Sequence, residues 1–260
     1  MNMMKKVFSR LVVFMCFVMM LASPGCDQSS LAQEPLPSKI DNSYVDYKVS
    51  SISSYAENTS RSSAVKVEIN YLGSKVRGSG TYFKYRGHSM VVTAAHLFVF
   101  APPMVLKSEA TIITPHEKVI GTLVYVDSIT DIAIFKVATL DSRKPARFNR
   151  TPNYSVGQDV VYSGFPGANN LLTFQGVIIG QGYGTDIAMQ SFAWGGSSGS
   201  GVFDSTGRFV GVLVSIMVGP GYNGPQLVGS VVYVAPANLI DTVYLRYNLD
   251  KLEVRTNDGF

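Results

Sequence analysis

Trp194-Gly195-Gly196-Ser197-Ser198-Gly199-Ser200-Gly201 is a cluster of serines set among glycines, with apolar, strand-prone sequence on both sides. A nucleophilic serine needs a sharp, unusual turn that projects its hydroxyl and aims neighbouring N–H groups at a developing oxyanion. Glycines permit the dihedrals and leave room for a substrate carbonyl. Glycine–serine loops are also common in ordinary turns and linkers. The stretch gains its weight from two companions upstream, His96 and Asp131.

His96 closes the run Ser89-Met90-Val91-Val92-Thr93-Ala94-Ala95-His96-Leu97, in which a β-prone segment delivers a histidine among small residues. Asp131 opens Asp131-Ile132-Ala133-Ile134-Phe135-Lys136-Val137, after the polar turn Asp127-Ser128-Ile129-Thr130. An acid, a base and a nucleophile thus each stand at a junction between loop and strand, where a rigid scaffold holds reactive groups. Their order along the chain, His then Asp then Ser, is one of three known for this triad. Taken singly, each residue has an ordinary structural role: a satisfied histidine, a turn acid, a glycine turn.

The three segments resemble those of the trypsin-like serine peptidases, most closely the bacterial branch that includes the HtrA/Deg proteases. Thr93-Ala94-Ala95-His96 resembles the histidine motif and Thr130-Asp131-Ile132-Ala133 the aspartate motif. Gly196-Ser197-Ser198-Gly199-Ser200 resembles the Gly-x-Ser-Gly-Gly nucleophile motif. Looser matches are Gly78-Ser79-Gly80-Thr81, Val156 to Val161 with Gly164-Phe165-Pro166-Gly167, and Gly229 to Pro236. Together they run from about residue 62 to about residue 240. The resemblance implies an all-β fold of two six-stranded antiparallel barrels with a short C-terminal helix and a cleft between the barrels. It implies His96, Asp131 and Ser198 as catalytic residues, with the N–H groups of Gly196 and Ser198 as oxyanion hole. By the motif's register, Phe192 lies at the base of the substrate pocket and Val214, Ser215 and Ile216 form its wall. No acid stands at that base, so an apolar or small side chain is expected beside the cut, unless Asp186 or Asp204 folds inward.

The motif departs from the family's in two places. Ser200 stands where a second glycine is usual, and Gly201 where a proline is usual. Both changes are expected to loosen the loop. Ser198 takes the nucleophile's frame; Ser197 and Ser200 do not.

The chain has 260 residues, 46% of them apolar and 15% charged, which describes a globular protein. Most of its formal net charge of +4 comes from Lys5, Lys6 and Arg10, leaving no electrostatic footprint for nucleic acid. Those three residues precede an unbroken apolar run, Leu11 to Ala22, shorter than the roughly 20 residues of a spanning helix and suited to an export signal. An uncleaved signal anchor is the alternative. Two processing routes stay open: a cut after Ser30-Leu31-Ala32, or a lipoprotein box Ser23-Pro24-Gly25-Cys26 with lipid on Cys26. The expected location is periplasmic or secreted, with membrane attachment if Cys26 is lipidated. Because the two cysteines are Cys16 and Cys26, the mature domain has none for internal disulfides. Three scattered histidines and no usable cysteine pair argue against a metal site, and no cofactor is expected.

Along the chain, residues 1–26 read as the signal and 27–60 as a flexible arm rich in polar residues. Residues 61–248 read as the protease-like domain, with barrel 1 over about 61–145 and barrel 2 over about 150–236. Strands are predicted at 64–71, 80–85, 90–94, 111–113, 119–125 and 132–137. A second set follows at 160–163, 172–179, 188–192, 201–204, 209–218 and 228–234. A helical pattern from Ala237 to about Asn248 would turn Leu239, Ile240, Val243 and Tyr244 inward. The tail after residue 240 is too short for a peptide-binding PDZ domain. The expected activity is serine endopeptidase action on polypeptides; an esterase and a catalytically silent or partner-activated binding module are the alternatives. The sequence leaves the oligomeric state open.

Overall fold

The structure, a computed structural model, describes residues 54–71, 74–98, 109–148, 154–221 and 224–257. The segment read as an export signal, Cys26 and the arm as far as residue 53 lie outside the described residues.

Alternation of buried and outward side chains builds the first barrel. In β1 (Ala64–Tyr71), Val65, Val67 and Ile69 are buried while Lys66 and Glu68 face outward, the two-residue period of a strand. β2 (Ser74–Tyr85), β3 (His88–Ala94), β4 (Glu109–Ile113), β5 (Lys118–Asp127) and β6 (Ile132–Lys136) complete it. The strand order is β1-β2-β3-β6-β5-β4, closed by antiparallel pairing of Lys66–Glu68 with Thr111–Ile113. Closure leaves no free sheet edge. Its interior is filled by apolar side chains, among them Val65, Val67, Val91, Ile112 and Phe135.

The second barrel repeats the plan with β7 (Asp159–Gly164), β8 (Leu172–Gln181), β9 (Ile187–Gln190), β10 (Gly201–Asp204), β11 (Phe209–Gly221) and β12 (Gly224–Pro236). Its order is β10-β11-β12-β9-β8-β7, closed by β7 on β10. Tyr162, Ile178, Met189, Val202, Leu213 and Val232 pack inside it. The two closed six-stranded antiparallel barrels are the fold class that the sequence predicts.

Both helices differ from the sequence reading. Residues 54–60, assigned to a flexible arm, belong to α1 (Ser54–Ser63). Its buried face is made of Ala56, Ser60 and Ser63, too small and polar to register as apolar periodicity. It docks on barrel 2 through polar bonds: Ser60 Oγ donates to Ser163 Oγ (2.8 Å), Arg61 Nη1 to Thr173 Oγ1 (2.6 Å), and Gln175 Nε2 to Glu57 Oε1 (2.9 Å). The C-terminal α2 (Thr242–Asn257) starts later than the pattern suggested. Asp241 Oδ1 caps it by accepting the N–H groups of Val243 (2.9 Å) and Tyr244 (3.0 Å), and residues 237–239 form a separate 3₁₀ turn. That restart shifts the helical phase. Leu245 and Leu249 are buried instead, whereas Val243 and Tyr244 are exposed; of the four expected inward residues, Ile240 alone is fully buried.

Candidate active site

Asp131 grips the end of β3 with three bonds. Its Oδ1 accepts the backbone N–H of His96 (2.7 Å), its Oδ2 lies 2.7 Å from His96 Nδ1, and its carbonyl accepts the N–H of Ala95 (3.0 Å). The grip requires a left-handed backbone, with φ of 59° at Asp131, a conformation that aspartate tolerates better than most residues. The preceding turn is built for it: Asp127 Oδ1 accepts the N–H of Ile129 (2.8 Å) and Asp127 Oδ2 the hydroxyl of Thr130 (2.8 Å). A carboxylate at Nδ1 favours the tautomer protonated there, which leaves Nε2 as a proton acceptor. Both side chains are partly screened from water.

Ser198 reaches this pair through its backbone. Its carbonyl accepts the N–H of Ser79 on β2 (2.8 Å), and Gly199 lies against Ser79 and against Thr93 and Ala94, the residues that lead into His96. Thr93 Oγ1 in turn donates to the Ser79 carbonyl (2.7 Å). The Ser198 turn of barrel 2 is thereby seated on the β2–β3 ladder of barrel 1.

Two carbonyl contacts orient the peptide groups of this turn. Gly195 C=O accepts the N–H of Gly167, and Ser197 C=O accepts that of Ser200 (3.0 Å). The C=O and N–H of a trans peptide point in opposite directions. The Gly196 N–H is therefore aimed away from Gly167, and the Ser198 N–H away from Ser200. Neither amide donates a hydrogen bond among the described residues. Positive φ at Gly196 (95°) and Gly199 (91°) gives the turn its sharpness.

The loop is not loosened at the two departures from the family motif. Ser200 is fully buried, with its carbonyl accepting the N–H of Leu213 (2.8 Å), and its hydroxyl occupies the space left by the absent side chain of Gly164. Gly201, free of the proline ring, donates its N–H to Thr81 Oγ1 (2.8 Å). The Ser200 hydroxyl is nonetheless buried without a hydrogen-bond partner among the described residues. Ser200→Ala is therefore expected to stabilise the fold by about 1 kcal/mol, raising the unfolding midpoint by roughly 2–4 °C. Calorimetry of the two proteins checks this.

The residues expected to form the substrate pocket are partly in the open. Phe192 is 58% exposed with its ring 5.7 Å from that of Phe174, and the next aromatic, Trp194, is 53% exposed. Val214 is buried, while Ser215 and Ile216 on β11 are half-buried. Asp204 does not enter this region as a counter-charge: its Oδ1 accepts the N–H groups of Thr206 (2.9 Å) and Arg208 (3.0 Å) in the β10–β11 turn. Asp186 is buried at the β8–β9 turn, next to Tyr233. His88 pairs with Glu253 of α2 (3.2 Å), and His116 is exposed beside Pro115. Among the described residues no cluster of His, Cys, Asp or Glu could hold a metal ion.

Sequence reading missed the residue that ties the site together. Ser79 Oγ donates to Gly196 C=O (2.7 Å) and accepts the N–H of Phe165 (2.9 Å), joining the Ser198 turn, the 165–168 turn and β2. The signal was a serine between two glycines, in a strand with no other need for it.

A model of the trypsin-like peptidase domain family matches residues 78–212, just over half of the 260 residues. Among solved structures, the chain is similar to the serine endoprotease from Yersinia pestis, with 19% identity and a TM-score of 0.60 over 76% of this chain and 68% of that one. It is also similar to the HtrA-type protease AlgW with tripeptide, with 17% identity and a TM-score of 0.57 over 74% of this chain and 60% of that one. The present chain thus spans less than two thirds of AlgW's length, and likeness at these identities concerns the fold. No curated protein matches the sequence.

Proposed function

The chain belongs to the trypsin-like peptidase family, and on that premise we propose that it is a serine endopeptidase acting through His96, Asp131 and Ser198. The observation that carries the reading is the Asp131 carboxylate, which holds both the backbone N–H and the Nδ1 of His96, with the Ser198 turn bonded to β2 and packed against the end of β3 that leads into His96. In this mechanism His96 Nε2 takes the Ser198 proton as Oγ attacks the scissile carbonyl. The N–H groups of Gly196 and Ser198 stabilise the oxyanion, and His96 returns the proton to the leaving amine. Water, deprotonated by His96, then attacks the acyl-enzyme, and the proton passes back to Ser198 Oγ. Asp131 holds the imidazole's orientation and stabilises its charged form.

The open aromatic surface of Phe192 and Trp194 favours apolar side chains on the acyl side of the cut. The export signal read in residues 1–26 belongs to the same proposal and would place the activity outside the cytoplasm. The test is digestion of an unfolded protein by the mature chain and by Ser198→Ala, with cleavage sites mapped by mass spectrometry. Cuts after apolar residues by the first protein and none by the second are expected. No cleavage by the folded wild type would favour the silent or partner-activated binding module.

A further inference from the structure

Beneath the nucleophile turn, barrel 2 presents a polar group where its interior is otherwise apolar. Tyr162 on β7 is fully buried among Val160, Ile178, Met189 and Leu213, with its ring stacked on Phe174 at 5.1 Å. Phenylalanine would satisfy that packing equally well, and a hydroxyl there is costly unless it is bonded. It is bonded to both ends of one segment. The phenol donates to the C=O of Phe192. Ser197, fully buried, lies against the same phenol, and its Oγ accepts the N–H of Trp194 (3.3 Å). Ser197 also donates its own N–H to Trp194 C=O (2.9 Å), so residues 194–197 form a closed turn resting on the phenol. Burial pushes the Tyr162 phenol well above its ordinary value, so it remains a hydrogen-bond donor at neutral pH.

We propose that Tyr162 is the positioning residue of the oxyanion loop. Its hydroxyl pins Phe192 and, through Ser197, the Trp194 end, and so holds the backbone that presents the Gly196 and Ser198 amides. The proposal rests on the reading of those amides as the oxyanion hole. It assigns the loop an uncharged anchor inside the barrel, whose hold does not change with pH around neutrality.

Tyr162→Phe keeps the ring and removes the oxygen. Two readouts separate this proposal from the functional reading on which it rests. Hydrogen exchange over residues 192–198, which needs no activity, is expected to accelerate about ten-fold with the barrel 1 strands unchanged. In peptide hydrolysis, kcat is expected to fall about 10–100-fold with KM within about two-fold, because the lost interaction matters in the transition state. Ser197→Ala should reproduce both effects, and the double variant should be no worse than the stronger single one. Unchanged exchange over 192–198 in folded Tyr162→Phe overturns the proposal, as does faster exchange with an unchanged kcat. If the wild type hydrolyses nothing, the functional reading falls, and exchange alone decides whether Tyr162 holds the loop.

Discussion

His96→Ala is expected to lower kcat/KM for peptide hydrolysis by roughly 10⁴–10⁶ while leaving the fold intact. Both parts follow from where the residue sits. The imidazole is partly exposed at the end of β3, so removing it opens no deep cavity. The backbone N–H of position 96 still has the Asp131 Oδ1 acceptor, and Ala95 still bonds the Asp131 carbonyl, so the β3–β6 junction keeps its geometry. What is lost, on the proposed mechanism, is the proton acceptor for Ser198 and the donor for the leaving amine. Such groups act as a unit, so adding Ser198→Ala to His96→Ala should cost little more. Steady-state kinetics on the two single variants and the double variant, with circular dichroism as a check of folding, measures this. A loss below about ten-fold for His96→Ala would contradict the assigned role.

Gly199→Ala is expected to damage structure and function together. A Cβ at this position would overlap the Ser79 carbonyl oxygen and Thr93 Oγ1, and would lie 3.1 Å from the backbone nitrogen of Ala94. Two of these three neighbours are backbone atoms, and the third is already bonded to the Ser79 carbonyl, so little can yield. The φ of 91° adds strain that an L side chain does not accept readily. Strain and overpacking together suggest a cost of about 3–5 kcal/mol, a large part of the stability of an ordinary domain. Relief would require the nucleophile turn to lift from β2 and β3, which carries Ser198 away from His96. Denaturant unfolding and peptide hydrolysis should fall together. A variant of wild-type stability would show that the turn is not seated as described.

The barrels were legible because strand burial leaves a two-residue pattern in the sequence and turn residues punctuate it. β1 (Ala64–Tyr71) and β10 (Gly201–Asp204) match their predicted limits, and most other strands extend past theirs by a few residues. Those extensions are polar or glycine-rich ends, such as Ser74 to Ser79 of β2, where ladder hydrogen bonds hold a strand that apolar periodicity does not mark. α1 escaped notice for a related reason: it binds the barrel through hydroxyls and an arginine, not through an apolar stripe. α2 was recognised as a helix but misphased, because the cap at Asp241 resets the count.

At the candidate site, the motifs point to His96, Asp131, Gly196 and Ser198, because each lies in a short segment whose proposed chemistry requires particular neighbours. The supports were not legible. Ser79 and Thr81 act across 117 and 120 residues of sequence, through Ser79–Gly196 and Thr81–Gly201 contacts, and Tyr162 acts across 30 through its contact with Phe192; no local spacing encodes any of them. The accommodation of Ser200 by Gly164 is of the same kind. Read locally, Ser200 and Gly201 suggested a slack loop; in three dimensions each has a complementary partner.

The central claim is that Ser198 is an activated nucleophile in a formed site. Labelling of the mature protein with a fluorophosphonate, followed by peptide mapping, tests it most directly. The account predicts one adduct per chain, on Ser198, with none on Ser197 or Ser200 and none in Ser198→Ala or His96→Ala. A folded wild-type protein that takes no label, or takes it on another serine, would contradict the account.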